Sequence, residues 1–117
     1  MGQLDIIRKK NLISSPETVN ADWESPSVSL DDREGEFTLS LKYESGISVN
    51  MKAYLQVSND DVDYGDVADS EVTITDSSGT VIYDINGSGC LYARLKIVVI
   101  SGSIDVVDCK YAAKQRH

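Results

Sequence analysis

The sequence VNMKAYLQVS at residues 49–58 opens the stretch that decides the fold, which extends to Val107. After an acidic loop, three more apolar runs follow at residues 72–75, 81–85 and 91–100. β-Branched and aromatic residues are frequent in these runs, and Gly, Asn, Asp and Ser separate them at short intervals. Short strands broken in this way are typical of an antiparallel sandwich or barrel. The sequence therefore predicts an all-β protein with an antiparallel β-sandwich.

A second alternating segment, EFTLSLKY, precedes this stretch at residues 36–43. The residues of one face are apolar, namely Phe37, Leu39, Leu41 and Tyr43. Such alternation indicates a sheet with one buried face and one solvated face. We expect Ser45-Gly46 to end this strand in a turn.

The last part of the chain predicts a hairpin. Ser101-Gly102-Ser103 would be a three-residue loop with its glycine in a left-handed conformation. Ile100 would then lie opposite Ile104, and Lys96 would lie opposite Asp108. An opposite-charge pair across two strands is what a correct register should show.

Composition limits the classes of function. The chain has 117 residues, enough for one domain, and it contains no long apolar run. Its beginning lacks an apolar signal segment, so we expect synthesis in a cytoplasm and free thiols at Cys90 and Cys109. His117 is the single histidine, and a terminal histidine is a poor general base because nothing orients it. We therefore expect no enzymatic activity.

The formal net charge of −8 is unevenly distributed. Residues 59–76 contain seven acids and no base, whereas both ends of the chain are basic. An acidic body argues against nucleic-acid binding, which requires a basic face. The basic ends could contact an acidic neighbour, including a second copy of the chain, or they could be solvated termini.

Residues 1–25 differ from the rest of the chain because turn signals interrupt them at Ser14-Ser15-Pro16 and again near Pro26. We interpret this segment as an extended N-terminal arm that lies on the domain or on a neighbour, and residues 26–117 as the β-sandwich domain. The apolar arm residues are predicted to form an interface, and they are Leu4, Ile6 and Ile7.

The loop at residues 58–66 contains the dense carboxylate cluster of the chain. Calcium prefers several oxygen ligands from a flexible acidic loop. The candidate ligands are Asp60, Asp61, Asp63 and Asp66. Their spacing does not match an EF-hand loop, and no Glu closes the loop at its twelfth position. A solvated loop that binds no cofactor is the other interpretation.

Tyr92 and Arg94 are out of phase with the apolar residues Leu91, Ala93 and Leu95, so they would share the wet face of a strand. Protein interfaces are enriched in Tyr and Arg. We predict that this pair contacts another protein. The alternative is an aromatic side chain that fills the second face of the sheet.

Three motifs follow one another in a characteristic order: LQVSND at residues 55–60, YARLK at 92–96 and SGS at 101–103. In this order they resemble small β-sandwich structural proteins of tailed-bacteriophage virions, over residues 36–112. The resemblance implies a jelly-roll-like sandwich that serves as a capsid accessory or decoration protein, or as a tail or fibre component, and commonly as a trimer. It brings no catalytic or ligand residue. The sequence departs from that pattern at Tyr64, which stands in for a Trp after the acidic loop, and at Cys90.

These observations predict a non-enzymatic virion protein, made in the host cytoplasm. We expect it to self-associate, with a trimer favoured, and to bind other virion proteins but no nucleic acid, membrane or cofactor. The alternative is a carbohydrate- or calcium-binding β-sandwich module for cell-surface recognition, in which exposed aromatic rings would stack on sugars.

Overall fold

The computed structural model describes residues 6–30, 36–86 and 91–115. These residues form nine strands, all paired antiparallel, and they contain no helix that could cross a membrane. The strands are β1 (Ile6–Asn11), β2 (Glu17–Val19), β3 (Trp23–Glu24), β4 (Val28–Ser29), β5 (Glu36–Ser58), β6 (Gly65–Asp66), β7 (Val72–Ile74), β8 (Gly79–Asn86) and β9 (Tyr92–Gln115). The predicted all-β antiparallel class is confirmed.

The chain runs as one long antiparallel hairpin. Strands β1 to β4 pair in turn with β9, beginning with Ile6 opposite Gln115. Strands β8, β7 and β6 pair with β5, ending with Val57 opposite Gly65. The tip of the hairpin is the acidic loop at residues 59–64.

The hairpin folds over on itself, and its two longest strands, β5 and β9, therefore also pair with each other. We call this pairing the inner ladder. This inner ladder contains register shifts between Lys42 and Met51 on β5. Such bulges bend a strand, and the bend here divides the sheet into two layers. The first layer contains β1, β2 and β8 with residues 36–44 and 104–115. The second layer contains β3, β4, β6 and β7 with residues 50–58 and 92–101. A long hairpin wrapped into two antiparallel sheets is a jelly-roll-like sandwich.

A hydrogen bond between the layers shows that they face each other. Leu39 and Leu55 would lie about 50 Å apart if β5 were straight. Tyr83 pairs with Leu39 in the first layer and donates its hydroxyl to the carbonyl of Ser70 at 2.7 Å. Ser70 in turn accepts a hydrogen bond from the backbone of Leu55 at 3.2 Å. Burial of this contact raises the pKa of Tyr83 to about 12.

Both layers contribute side chains to one hydrophobic core. Alternation along the strands places every second apolar residue inside. The most deeply buried side chains are Leu39, Leu41, Met51, Ile74, Leu95, Ile97, Ile104, Val19, Val106 and Cys109. Cys109 is a free thiol, as predicted, and burial raises its pKa to about 12. Cys90 lies outside the described residues.

The predicted hairpin at Ser101-Gly102-Ser103 is wrong. Strand β9 continues through this segment, and its two serines pair with Asn50 and Ile47 of β5. Gly102 does adopt a left-handed conformation, with φ of 84°. That conformation bends a paired strand instead of reversing the chain.

The strand pairs expected from that hairpin are also replaced. Lys96 pairs with Tyr54 and Glu24, whereas Asp108 pairs with Lys42. The opposite charge across the ladder is therefore Glu24 of β3 for Lys96 and Lys42 of β5 for Asp108.

The predicted turn at Ser45-Gly46 is wrong for a related reason. Strand β5 runs from Glu36 to Ser58 without interruption. Ser45 and Ser48 have positive φ values of 58° and 50°, so the turn-forming residues supply a bend within the strand.

The described part of the predicted arm lies along its own chain. Strands β1, β2 and β3 pair with β9, and Ile13 and Val19 are buried in the core. Leu4 lies outside the described residues. The division between an arm and a domain at residue 25 stays a prediction.

Candidate functional site

The outer face of the second layer carries a group of polar side chains around Arg94. Alternation along β9 buries Ala93 and Leu95, so Arg94 points outward. Gln56 is its partner across the ladder on β5. We refer to this group as the Arg94 cluster, which consists of Glu24, Gln56, Tyr64, Asp66, Arg94 and Lys96.

The guanidinium group of Arg94 makes three contacts. Its Nε donates to Oε1 of Gln56 at 2.8 Å, and its Nη2 lies 3.4 Å from Oε2 of Glu24. Its central carbon stands 3.8 Å from the centre of the Tyr64 ring, which is a cation–π contact. Arg94 therefore connects β3, β5 and the tip loop.

The neighbours of Arg94 are themselves paired. Glu24 also accepts a hydrogen bond from Lys96 Nζ at 3.4 Å. Gln56 donates its Nε2 to Oδ1 of Asp66 on β6 at 2.8 Å. The polar groups of the cluster thus bind one another, and they fasten both edges of the second layer to its central strands.

Asp60 organises the tip loop. Its Oδ1 accepts hydrogen bonds from the backbone N–H groups of Val62 and Asp63, both at 2.9 Å, and from the Ser58 hydroxyl at 2.8 Å. These donors stabilise the carboxylate and lower the pKa of Asp60 to about 2, with the Asp63 N–H as the largest cause.

Asp61 holds Tyr64 over Arg94. The Tyr64 hydroxyl donates to Oδ1 of Asp61, and Asp61 has a positive φ of 62° that folds the loop back. The hydrogen bond from Tyr64 is the largest cause that lowers the pKa of Asp61, and a bond from Ser27 adds to it. Burial, followed by this bond, raises the pKa of Tyr64. The loop is therefore fixed to the sheet by its own acidic residues.

The predicted calcium ligands are mostly engaged within the chain. Asp60, Asp61 and Asp66 each accept a side-chain or backbone hydrogen bond, while Asp63 gives its N–H to Asp60. Across the part of the chain that the structure describes, no group of three or more His, Cys, Asp or Glu residues is arranged to hold a metal ion. A cation here would have to compete with these bonds, and the calcium site stays a prediction.

The structure describes four of the five predicted interface residues, and these four lie at two distant places along β9. Ile6 and Ile7 pair through their backbone with the end of β9, far along the ladder from Tyr92 and Arg94. Tyr92 is partly buried between the partners Ser29 and Ser58. Arg94 is 22% exposed, and its guanidinium is occupied as described above. A role of these residues in an interface stays a prediction.

Sequence reasoning missed the partners of Arg94. The outward phase of Gln56 and Arg94 was visible in the alternation of their strands. The contact with Tyr64 was not, because it depends on how the tip loop folds back over the sheet. The run at residues 81–85 was predicted as a strand, but the position of this strand, β8, at the edge of the sheet was not.

We expect the charge of Asp60 to stabilise the fold near neutral pH and to lose this effect in acid. Its folded pKa of about 2 lies below the ordinary value of 3.8, so the contribution is present above about pH 4 and disappears as the pH falls through about 2. Asp60→Asn keeps the shape but not the charge. The difference in unfolding midpoint between wild type and this variant should therefore be larger at about pH 6 than at about pH 2. A difference that does not change with pH would contradict this account of the loop.

We expect Arg94→Ala to lower the free energy of unfolding by about 1–3 kcal/mol, because it leaves Oε1 of Gln56 without its charged donor, removes one of the two cations beside Glu24 and abolishes the cation–π contact with Tyr64. Urea titration followed by circular dichroism measures the change. Lys110→Ala is the control, since Lys110 is 59% exposed and lies 3.9 Å from its partner Asp108. It should change stability by less than about 0.5 kcal/mol. Equal effects of the two substitutions would show that the Arg94 cluster is only a set of surface charges.

No protein-family model matches this sequence, and no curated protein matches it either. Solved structures do match. The SPBc2 prophage-derived protein YomS superposes with a TM-score of 0.60 at 12% identity, and the match covers 96% of each chain. A protein of infectious bursal disease virus, Gt strain, gives a TM-score of 0.60 at 10% identity over 93% of this chain and 32% of the viral chain. The enzymatically active domain of tailspike protein 4 from bacteriophage CBA120 gives 0.57 at 11% identity, over 92% of this chain and 19% of the other.

At these identities the likeness shows the fold alone. This chain spans nearly all of YomS, about a third of the viral chain and about a fifth of the tailspike chain. The wrapped hairpin is thus a fold that also occurs in a prophage-derived protein and in parts of larger viral and phage proteins.

Proposed function

We propose that this chain is a non-enzymatic structural protein of a bacteriophage particle, located in the virion, where it acts through contacts with other virion proteins and with further copies of itself. The observation that carries the place in a virion is the match of nearly the whole chain to a prophage-derived protein, together with matches to viral and tailspike domains. The resemblance of its LQVSND, YARLK and SGS motifs to phage virion proteins supports the same role.

The chemistry of the described residues supports a structural role over a catalytic one. The polar side chains of the Arg94 cluster bind one another, as do those of the tip loop. No described side-chain polar atom that is fully buried lacks a hydrogen-bond partner. Polar groups that are already hydrogen-bonded within the chain stabilise the surface that carries them. They have little hydrogen-bonding capacity left for a substrate or cofactor.

Rigidity is also what a virion component needs. Each layer of the sandwich is tied to the other by the continuous strands β5 and β9 and by the bond from Tyr83 to Ser70. We infer a position as a capsid accessory or decoration protein, or as a tail or fibre component, since these positions use small sandwiches as building blocks.

A nonsense mutation in the gene for this chain tests the proposal. We expect the mutant to replicate its genome normally but to yield fewer or less heat-stable particles, with rescue by the intact gene supplied in trans. A silent codon change at the same position is the control. Particles of normal number and stability from the mutant would contradict a structural role, and recovery of the protein on cell-surface glycans would favour the binding-module alternative.

A further inference from the structure

Strand β8 is an edge strand with an unusually regular backbone. Its eight residues pair with β5 without a register shift, from Tyr43 opposite Gly79 to Glu36 opposite Asn86. Within residues 6–30, 36–86 and 91–115, β8 pairs with no second strand. One row of its N–H and C=O groups therefore points away from the sheet, where another strand can bind.

The other edge strands carry features that discourage such pairing. Strand β1 has the bases Arg8, Lys9 and Lys10, and charged residues, above all Lys, protect an edge. The remaining edge strands, β2, β3, β4, β6 and β7, have only two or three residues each. Strand β8 has neither protection, since it contains no Lys, no Pro and no bulge, and Asp84 is its single charged residue.

The side chains of β8 divide into two rows. Val81 and Tyr83 are buried in the core, whereas Thr80, Ile82 and Asp84 are exposed on the outer face. Ile82 is 61% exposed, an uncommon place for a large aliphatic side chain at the centre of an edge strand.

We propose that β8 pairs with β8 of a second copy of this chain, antiparallel and with the twofold axis at Ile82. This inference rests on the proposed function, because it names the partner through which the protein assembles. Edge-to-edge addition would join the first layers of two copies into one continuous sheet, and the interface is isologous, with the same patch on both copies.

The sequence of β8 is complementary to itself in this register. Ile82 meets Ile82 of the second copy and removes the exposed aliphatic surface from water. Thr80 lies opposite Asp84, which places a hydroxyl donor against a carboxylate acceptor on each side of the axis. The two Asp84 carboxylates lie about 13 Å apart along the strands, beyond the Debye length of about 8 Å at physiological ionic strength, so they repel only weakly.

Light scattering on a sizing column, over a series of protein concentrations, tests the proposal. The wild-type mass should rise from 12.8 kDa towards twice that value as the concentration increases. Ile82→Lys places two ammonium groups opposite each other at the axis and should raise the dimer dissociation constant by about tenfold or more. Ile100→Lys is the matched control, since Ile100 is 57% exposed but lies on β9, and it should leave the constant unchanged. Thermal melts should show all three proteins folded.

A monomer at every concentration, a trimer, or equal effects of the two lysine substitutions would overturn the inference. These outcomes are separate from those of the genetic test above. A protein required for particles that does not dimerise through β8 overturns the inference and leaves the proposed function standing. A protein that dimerises through β8, but whose nonsense mutant still yields normal particles, overturns the proposed function alone.

Discussion

Gly102→Ala is expected to lower the free energy of unfolding by about 2–5 kcal/mol, because the position combines backbone strain with a steric clash. Gly102 has a φ of 84°, which disfavours any residue with a side chain. An added Cβ would overlap the carbonyl oxygens of Ile47 and Ser48 and stand 2.6 Å from the carbonyl carbon of Ser48. These atoms are backbone of the paired strand β5, so the bend itself would have to change.

Gly65→Ala is the matched control for this substitution. A Cβ at Gly65 meets no atom within 4 Å. Its stability should change by about 1 kcal/mol or less, and a small gain is expected because alanine restricts the unfolded chain. Urea unfolding of both variants gives the comparison. If Gly102→Ala changes the free energy of unfolding no more than Gly65→Ala does, the close approach of β9 to β5 at the bend is contradicted.

Ile104→Ala is expected to cost about 2–5 kcal/mol, whereas Ile100→Ala should cost less than about 1 kcal/mol. Ile104 is fully buried in the core, and Ile100, only four positions away on β9, is 57% exposed. The first substitution leaves a cavity that the sandwich cannot fill, and the second removes atoms that already contact water.

This pair of substitutions also separates the continuous strand from a local hairpin. In a hairpin at residues 101–103 the two isoleucines would face each other across the strands and share one environment. Similar losses for the two variants, measured by the same urea titrations, would favour the hairpin and contradict the ladder between β5 and β9.

The fold class could be predicted because it depends on local alternation. Leu39, Leu41 and Tyr43 share a face in the sequence pattern, and all three are buried. Met51, Ala53 and Leu55 repeat the same pattern after the bend. Period-two burial requires only that a strand have one wet face, whatever strand lies beside it.

The path of the chain could not be predicted from the same signals. Ser45-Gly46 and Ser101-Gly102-Ser103 supply positive φ values, and a reversal and a bend both need such values. What decides between them is the pairing of β5 with β9 along their full lengths, which is a property of residues far apart in the sequence. A local pattern contains no information about that pairing.

The candidate site, like the fold, could be predicted only in its local features. The outward phase of Arg94 and the acidic character of the tip loop follow from the sequence. The contacts of Arg94 with Glu24 and Tyr64 do not, since β3 and the tip loop reach Arg94 only after the hairpin has wrapped. The carboxylates of the loop suggested a metal, but Asp60 and Asp61 bind donors of their own loop.

The copy number of this chain in purified particles tests the central proposal most directly. Particles from a culture that produces the protein would be banded by density, washed at high salt and analysed by quantitative mass spectrometry against the major head and tail proteins. We expect a fixed stoichiometry that survives the wash, and an even number of copies if β8 dimers are the building units. Absence of the chain from the banded particles, with all of it in the soluble fraction, would contradict its role as a virion protein.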